Sequence, residues 1–168
     1  KEEPKADDKI TVVVMPKLVS IPYFNAAEKG AKKCGEDFGF EVIYTGPTEA
    51  DATQQAQMLE SYIAQGVDAI CVAPNDPAGI RPTLEKARAA GITVLDWDTP
   101  ADKDVVDYSI NQIDDKQLGE HMFQTLFEEM EKINGSKEGK YAILTGGLEA
   151  ANLNTWISYG LAMAEKDW

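Results

Sequence analysis

The feature that most constrains this chain is a regular alternation of two kinds of segment. Continuous apolar, β-branched runs are each followed by a stretch with helical periodicity. Residues 10–15 (ITVVVM) form the first run, the pattern of a strand buried on both faces. Residues 23–38 then place Phe24, Ala27, Ala31, Cys34 and Phe38 at three- and four-residue spacing, one apolar face of a helix that Gly39 ends. The cycle repeats: strand 40–44, helix 52–65 with Met58, Leu59, Tyr62 and Ile63 inward and Gly66 at its end, then strand 69–73. A helix follows to residue 90, with Asp76 as its N-cap, Pro77 at its first position and Gly91 beyond it. Strands at 92–95 and 105–110 complete the series. Repeated strand–helix–strand units predict a parallel sheet with helices on both faces, a doubly wound α/β fold.

After residue 110 the pattern changes. Residues 114–133 read as one long helix with Leu118, Met122, Leu126, Met130 and Ile133 on one stripe, broken by Asn134-Gly135-Ser136. Residues 141–145 (YAILT) read as another buried strand, Gly146-Gly147 as a turn, and 152–166 as a helix. One strand with two helices is too small to close a core. The expected division is a linker at 1–9 (KEEPKADDK, charged and almost without apolar residues), a first α/β domain at 10–112, and the start of a second at 113–168.

Charge and motifs narrow the function. With 16 Lys and Arg against 29 Asp and Glu, the net charge of −13 opposes binding to nucleic acid or to anionic membrane surfaces. No apolar stretch approaches the ~20 residues that span a bilayer. The P-loop, dinucleotide, zinc-protease and nucleophile-elbow signatures are absent from the sequence. Cys34 and Cys71 are expected as buried free thiols, and no Cys/His cluster suggests a metal. His121 reads as a solvated helix residue. The expectation is therefore no cofactor, no metal and no catalytic residue.

In open parallel sheets ligands bind beyond the carboxyl ends of the strands. The loop after Met15 carries Lys17 with Tyr23 and Phe24; the loop after the third strand carries Asn75 and Asp76. The fourth strand ends Asp96-Trp97-Asp98, where carboxylates at i and i+2 project to one side of an extended chain. The loop after Thr145 carries Asn152 and Asn154. A cation, carboxylates, amides and aromatic rings make a site suited to hydroxyl-rich small molecules. Each also has a plainer reading: Lys17 as a solvated loop lysine, Tyr23 or Phe24 as helix-entry packing, Asp96 or Asp98 as a loop cap, Asp76 as an N-cap.

At these loops the sequence resembles the sugar-type periplasmic binding proteins of ABC importers, nearest the autoinducer-2 receptor and rhamnose-binding subgroup. The matching stretches are MPKLVSIPYFNAAEKGA (15–31), YTGPTEAD (44–51), QGVDAICVAPNDP (65–77), GITVLDWD (91–98) and INQIDDKQLGEHM (110–122). The resemblance implies two similar α/β domains joined by three crossings, the first near Asn111-Gln112, with ligand held in the cleft between them. It implies that the chain is the N-terminal half of such a protein. It places Lys17 and Asp98 on the polar ligand contacts of the first domain and Tyr23 and Phe24 on the aromatic pair that flanks the sugar. Asn111, Asn152 and Asn154 complete the implied ligand-binding set. Ahead of Trp156 the subgroup's Asp-Gln pair is Asn152-Leu153 here, which leaves autoinducer-2, rhamnose, a pentose or another polyol open. The implied partners are a small sugar-like ligand and the membrane permease of an ABC importer; the implied location is extracytoplasmic, in the periplasm or tethered as a lipoprotein.

Two rivals come from other classes: a ligand-sensing domain of a receptor or repressor, and an α/β enzyme using Asp96 and Asp98. Half of a two-domain fold would also expose a strand edge and apolar faces, so self-association is expected.

Overall fold

A computed structural model describes residues 9–148 and 150–167 of the chain. Apart from Lys9, the expected linker lies outside the described residues. The chain divides into two compact units, one ending at Ile110 and the other beginning at Asn111.

In the first unit the elements follow the alternation of the sequence: β1 (Thr11–Met15), α1 (Pro22–Phe38), β2 (Glu41–Tyr44), α2 (Ala52–Gln65), β3 (Ala69–Val72), α3 (Pro77–Ala89), β4 (Thr93–Trp97) and β5 (Tyr108–Ile110). All pairings are parallel and the order is β2-β1-β3-β4-β5. The chain therefore winds outward in both directions from β1 and β3, which creates a crevice at their carboxyl ends. Asp76 caps α3 by accepting from the Ala78 amide at 3.0 Å, with Pro77 at the first position.

The strand register sorts the side chains. Val13, Met15, Ile70, Val72 and Val94 lie on one face at zero exposure, beneath Leu59 of α2 and Ile80 and Leu84 of α3. The same row holds one carboxylate, since Met15 pairs with Val72, Val72 with Asp96 and Asp96 with Ser109. Val12, Val14, Cys71 and Leu95 take the opposite face and are only partly buried.

Helix α1 sits differently from its expected phase. Its buried residues are Phe24 and Gly35, while Cys34 is exposed and Phe38 is 78% exposed. The cause is a close backbone approach: a Cβ at Gly35 would lie 2.8 Å from Val42 Cγ2 and 2.9 Å from the Phe40 carbonyl oxygen. Glycine marks the contact line, so the apolar residues beside it turn outward. Cys71 is partly buried rather than fully so; burial, with the neighbouring Cys34 thiol second, pushes its thiol from 9.0 up to about 11.

The second unit contains α4 (Asp115–Asn134) and α5 (Ala151–Asp167). Asp114 caps α4 by accepting from the Gln117 amide, and Gly135 ends it in the left-handed region. Its buried residues are Gly119, Phe123 and Phe127; Met122 is 51% and Ile133 78% exposed, so this stripe too is rotated by one position. The reason repeats. A Cβ at Gly119 would lie 2.2 Å from the Trp156 carbonyl oxygen, and one at Gly160 would lie 2.1 Å from the Phe123 ring. Tyr141 packs edge-on against Phe123 and Phe127. Residues 141–145 are not a strand: no described segment of this unit is extended beside them, and a strand exists only through its pairing. Leu144 is fully exposed. His121 is exposed on α4, as expected.

Candidate functional site

The carboxyl ends of β1, β3 and β4 gather the polar residues of the first unit. The Lys17 ammonium lies 2.9 Å from Asp98 Oδ2, with the two side chains only 13% and 6% exposed. The Tyr23 hydroxyl, on the first turn of α1, donates to Asp98 Oδ1 at 2.9 Å. Phe24 is buried and edge-on to both Tyr23 and Trp97, at ring-centre distances of 5.0 and 5.7 Å. It forms the apolar wall behind Tyr23, which itself is 48% exposed. The Trp97 indole N–H donates to the Cys71 carbonyl at 3.3 Å, which fixes the far side of that wall.

Two devices set the backbone under these side chains. The first is Gln55, at zero exposure near the start of α2. Its Nε2 donates to the carbonyls of Pro16 (3.0 Å) and Ala73 (2.9 Å), and its Oε1 accepts from the Asn75 amide (2.9 Å). The Asn75 side chain in turn donates to the Lys17 carbonyl at 2.8 Å. One amide therefore ties together the exits of β1 and β3, and with them the backbone of Lys17. The second is Tyr44, whose hydroxyl donates to the Phe24 carbonyl at 2.7 Å. Burial, with the Glu28 carboxylate second, raises this phenol from 10.0 to about 12, so it stays a donor at any physiological pH.

Asp98 itself stands at φ 64°, in the left-handed region that non-glycine residues seldom take. The Thr99 N–H donates to the Trp97 carbonyl at 2.7 Å, closing a three-residue turn with Asp98 at its centre. Asp98 has therefore left the extended backbone of β4, and the expected projection of both carboxylates to one side does not hold. Asp96 is 1% exposed; its Oδ2 accepts from the Ala101 amide at 2.8 Å and its Oδ1 from the Ser109 hydroxyl. Asp98 faces Lys17 and Tyr23. Beside it the buried Thr99 hydroxyl has no hydrogen-bond partner among the described residues. Asp76 is engaged as a helix cap.

The remaining predicted residues belong to the second unit. Asn111 is exposed just ahead of α4. Asn152 is 6% exposed on the first turn of α5. Asn154, on the same turn, is exposed and donates from its side chain to the Leu148 carbonyl at 2.8 Å. The Trp156 indole donates to Asp115 Oδ1 at 2.6 Å, joining α5 to the first turn of α4. Among the described residues no group of three His, Cys, Asp or Glu could hold a metal ion, and no helix is long and apolar enough to cross a membrane.

Sequence reasoning missed Gln55, Ser109 and Thr99. A glutamine within ATQQAQ carries no mark of burial, and the partners of Asp96 arise only once β4 and β5 are in register.

Residues 12–166 match the periplasmic binding protein domain. Two curated sugar-binding proteins are similar over part of the chain. The D-ribose/D-allose-binding protein of Pseudomonas aeruginosa is 31% identical over 102 residues, 59% of this chain and 32% of that protein. The ribose import binding protein RbsB of Bacillus subtilis is 30% identical over 97 residues, 58% and 32%. Among solved structures, LsrB from Clostridium saccharobutylicum in complex with AI-2 superposes with a TM-score of 0.81 at 31% identity, covering 95% of this chain and 50% of that one. An ABC transporter solute-binding protein from Burkholderia graminis in complex with D-arabinose gives 0.85 at 31%, covering 96% and 54%. Another from Clostridium phytofermentas, with bound L-rhamnose, gives 0.82 at 28%, covering 95% and 48%. The chain thus spans about a third of the curated relatives and about half of these solved chains. A parallel sheet wound from β1 and β3, matched from its first strand to its last helix, places the chain in the periplasmic binding protein family.

Proposed function

We propose that this chain contributes the first-domain half of the ligand site in an extracytoplasmic solute-binding protein that delivers a small sugar-like molecule to an ABC importer. The observation that carries the reading is the Lys17–Asp98 pair at the carboxyl edge of the sheet, with Tyr23 bonded to the same carboxylate. The pair offers a donor and an acceptor of full charge, each able to bond a hydroxyl at about 1.5–3 kcal/mol. Tyr23, backed by Phe24 and Trp97, offers an aromatic ring for the carbon skeleton of a sugar. On this reading Asn111, Asn152 and Asn154 bring amides from the second unit, and residues from 113 onward open a second α/β domain. Closure of the two domains on the ligand is the signal read by the permease.

The reading is one of binding without turnover. Acid–base chemistry at Asp98 would draw on Asp96, and that carboxylate is already held by Ala101 and Ser109. Calorimetric titration of the full-length protein with D-ribose, D-arabinose, L-rhamnose and autoinducer-2 tests the proposal. Binding of at least one, lost in Asp98→Ala, is the expected result; a folded protein that takes none of them overturns it.

Expressed as these 168 residues alone, the chain presents an apolar groove of about 310 Å³ between α4, α5 and residues 141–146, rimmed by the exposed Leu144. We propose that this polypeptide self-associates through that face.

A further inference from the structure

Asp96 is out of place by composition. It stands at 1% exposure in a row that runs Met15, Val72, Asp96, Ser109, directly beside the fully buried Val72. A carboxylate there is tolerated only if both oxygens are bonded. They are, and the partners matter: Ser109 is the facing residue on β5, while Ala101 lies three residues beyond Asp98. The bond from Asp96 to Ala101 therefore closes a ring around Trp97, Asp98, Thr99 and Pro100. Inside that ring sits the tight turn from Trp97 to Thr99, with Asp98 in the left-handed region. Pro100 restricts Thr99 from the other side, and Thr99 is buried with its hydroxyl unbonded. A left-handed aspartate and an orphaned hydroxyl are both costly, and such strain persists only where the surroundings over-determine it.

We propose that Asp96 is the positioning residue of this site: it clamps the strained turn that aims the Asp98 carboxylate at Lys17 and Tyr23, without touching ligand. The role in binding rests on the function proposed above; the role in shaping the turn does not.

Two substitutions in the full-length protein separate the possibilities. Asp96→Leu keeps the branching of the side chain and suits the neighbouring Val72, but offers nothing to the Ala101 amide. Asp96→Asn keeps an oxygen for Ala101 and can donate its amide to Ser109. Two readouts are taken: the Asp98 Cα and Cβ chemical shifts without ligand, which report its backbone region, and the Kd for whichever of D-ribose, D-arabinose or L-rhamnose the wild type binds. Asp96→Leu should move Asp98 out of the left-handed region and weaken binding by about tenfold or more. Asp96→Asn should restore both, and Asp96→Leu should add nothing in an Asp98→Asn background. Unchanged Asp98 shifts in folded Asp96→Leu, or an undiminished effect of Asp96→Leu in Asp98→Asn, overturns the proposal. If Asp96→Leu does not fold, Ser109→Ala takes its place, with a smaller change of the same kind expected and no change overturning. If the wild type binds none of these sugars, the proposed function falls, and the ligand-free shifts alone decide whether Asp96 shapes the turn.

Discussion

Lys17 and Asp98 meet at 2.9 Å although they leave strands that are not neighbours: β3 runs between β1 and β4. The pair therefore bridges the mouth of the crevice across the end of the central strand. Its geometry depends on how three separate strand exits are held.

Removing one partner takes the closest opposite charge from the other in a poorly hydrated place. Asp98→Ala should destabilise the protein by about 2–4 kcal/mol, and Lys17→Met by a comparable amount. The double variant should cost less than the sum, because the contact between the two charges is then lost once and not twice. Urea denaturation of the four proteins checks this, and strict additivity would deny that the pair is coupled.

Gln55 satisfies two carbonyls and one amide at once. Gln55→Leu keeps much of the volume but leaves all three without a partner, each worth about 1–3 kcal/mol when buried. A loss of at least about 3 kcal/mol is expected in chemical denaturation. A loss below 1 kcal/mol would mean that water replaces the amide.

Thr99 predicts the opposite sign. Its hydroxyl is buried without a partner among the described residues, so Thr99→Val removes a desolvated polar atom and keeps the shape. The variant should be as stable as the wild type or more so, by up to about 1 kcal/mol, seen as a higher Tm. A clear fall in Tm would reveal a partner for that oxygen.

The thiols should separate by environment. Cys34 is exposed and should be alkylated quickly at pH 8, whereas Cys71 holds its proton up to about 11 and should react slowly. Because the folded state keeps the Cys71 proton longer than the unfolded chain does, this thiol's contribution is intact below pH 9. It is lost as pH climbs from about 9 through about 11. Stability measured across that window should fall less steeply in Cys71→Ala; identical slopes would contradict the assignment.

The self-association proposed for the 168-residue polypeptide is read by light scattering. Leu144→Glu, at a fully exposed position beside the groove, should shift the population toward monomer. A wild-type polypeptide that is monomeric at high concentration would remove the idea.

Most of the first unit was legible because the strands are short, mainly apolar runs and the helices are punctuated: Asp76 begins one of them, and Gly39 and Gly66 end two. The helix phases were not. At Gly35 and Gly119 the tightest contact belongs to a residue with no side chain, and hydrophobic periodicity gives it no weight. Cys34, Phe38, Met122 and Ile133 were assigned inward for that reason. Residues 141–145 have the composition of a strand, but composition cannot supply a neighbour. In the candidate site, Lys17, Tyr23 and Asp98 stood out as charged or aromatic residues at strand exits. Gln55 did not, and Asp96 stood out only as a strand-end carboxylate and not as a buried clamp, because their partners are backbone groups or distant hydroxyls that only the assembled sheet brings near.

The backbone at position 98 also narrows what descent can try there. Aspartate, asparagine and glycine tolerate a φ of 64°; β-branched and bulky residues do not. A lineage drifting toward a new sugar would have to do its experimenting at Lys17 and Tyr23, around a residue whose repertoire is closed by geometry. Among diverged relatives that share this turn, variety should accumulate at the neighbours of Asp98 and stay scarce at Asp98 itself.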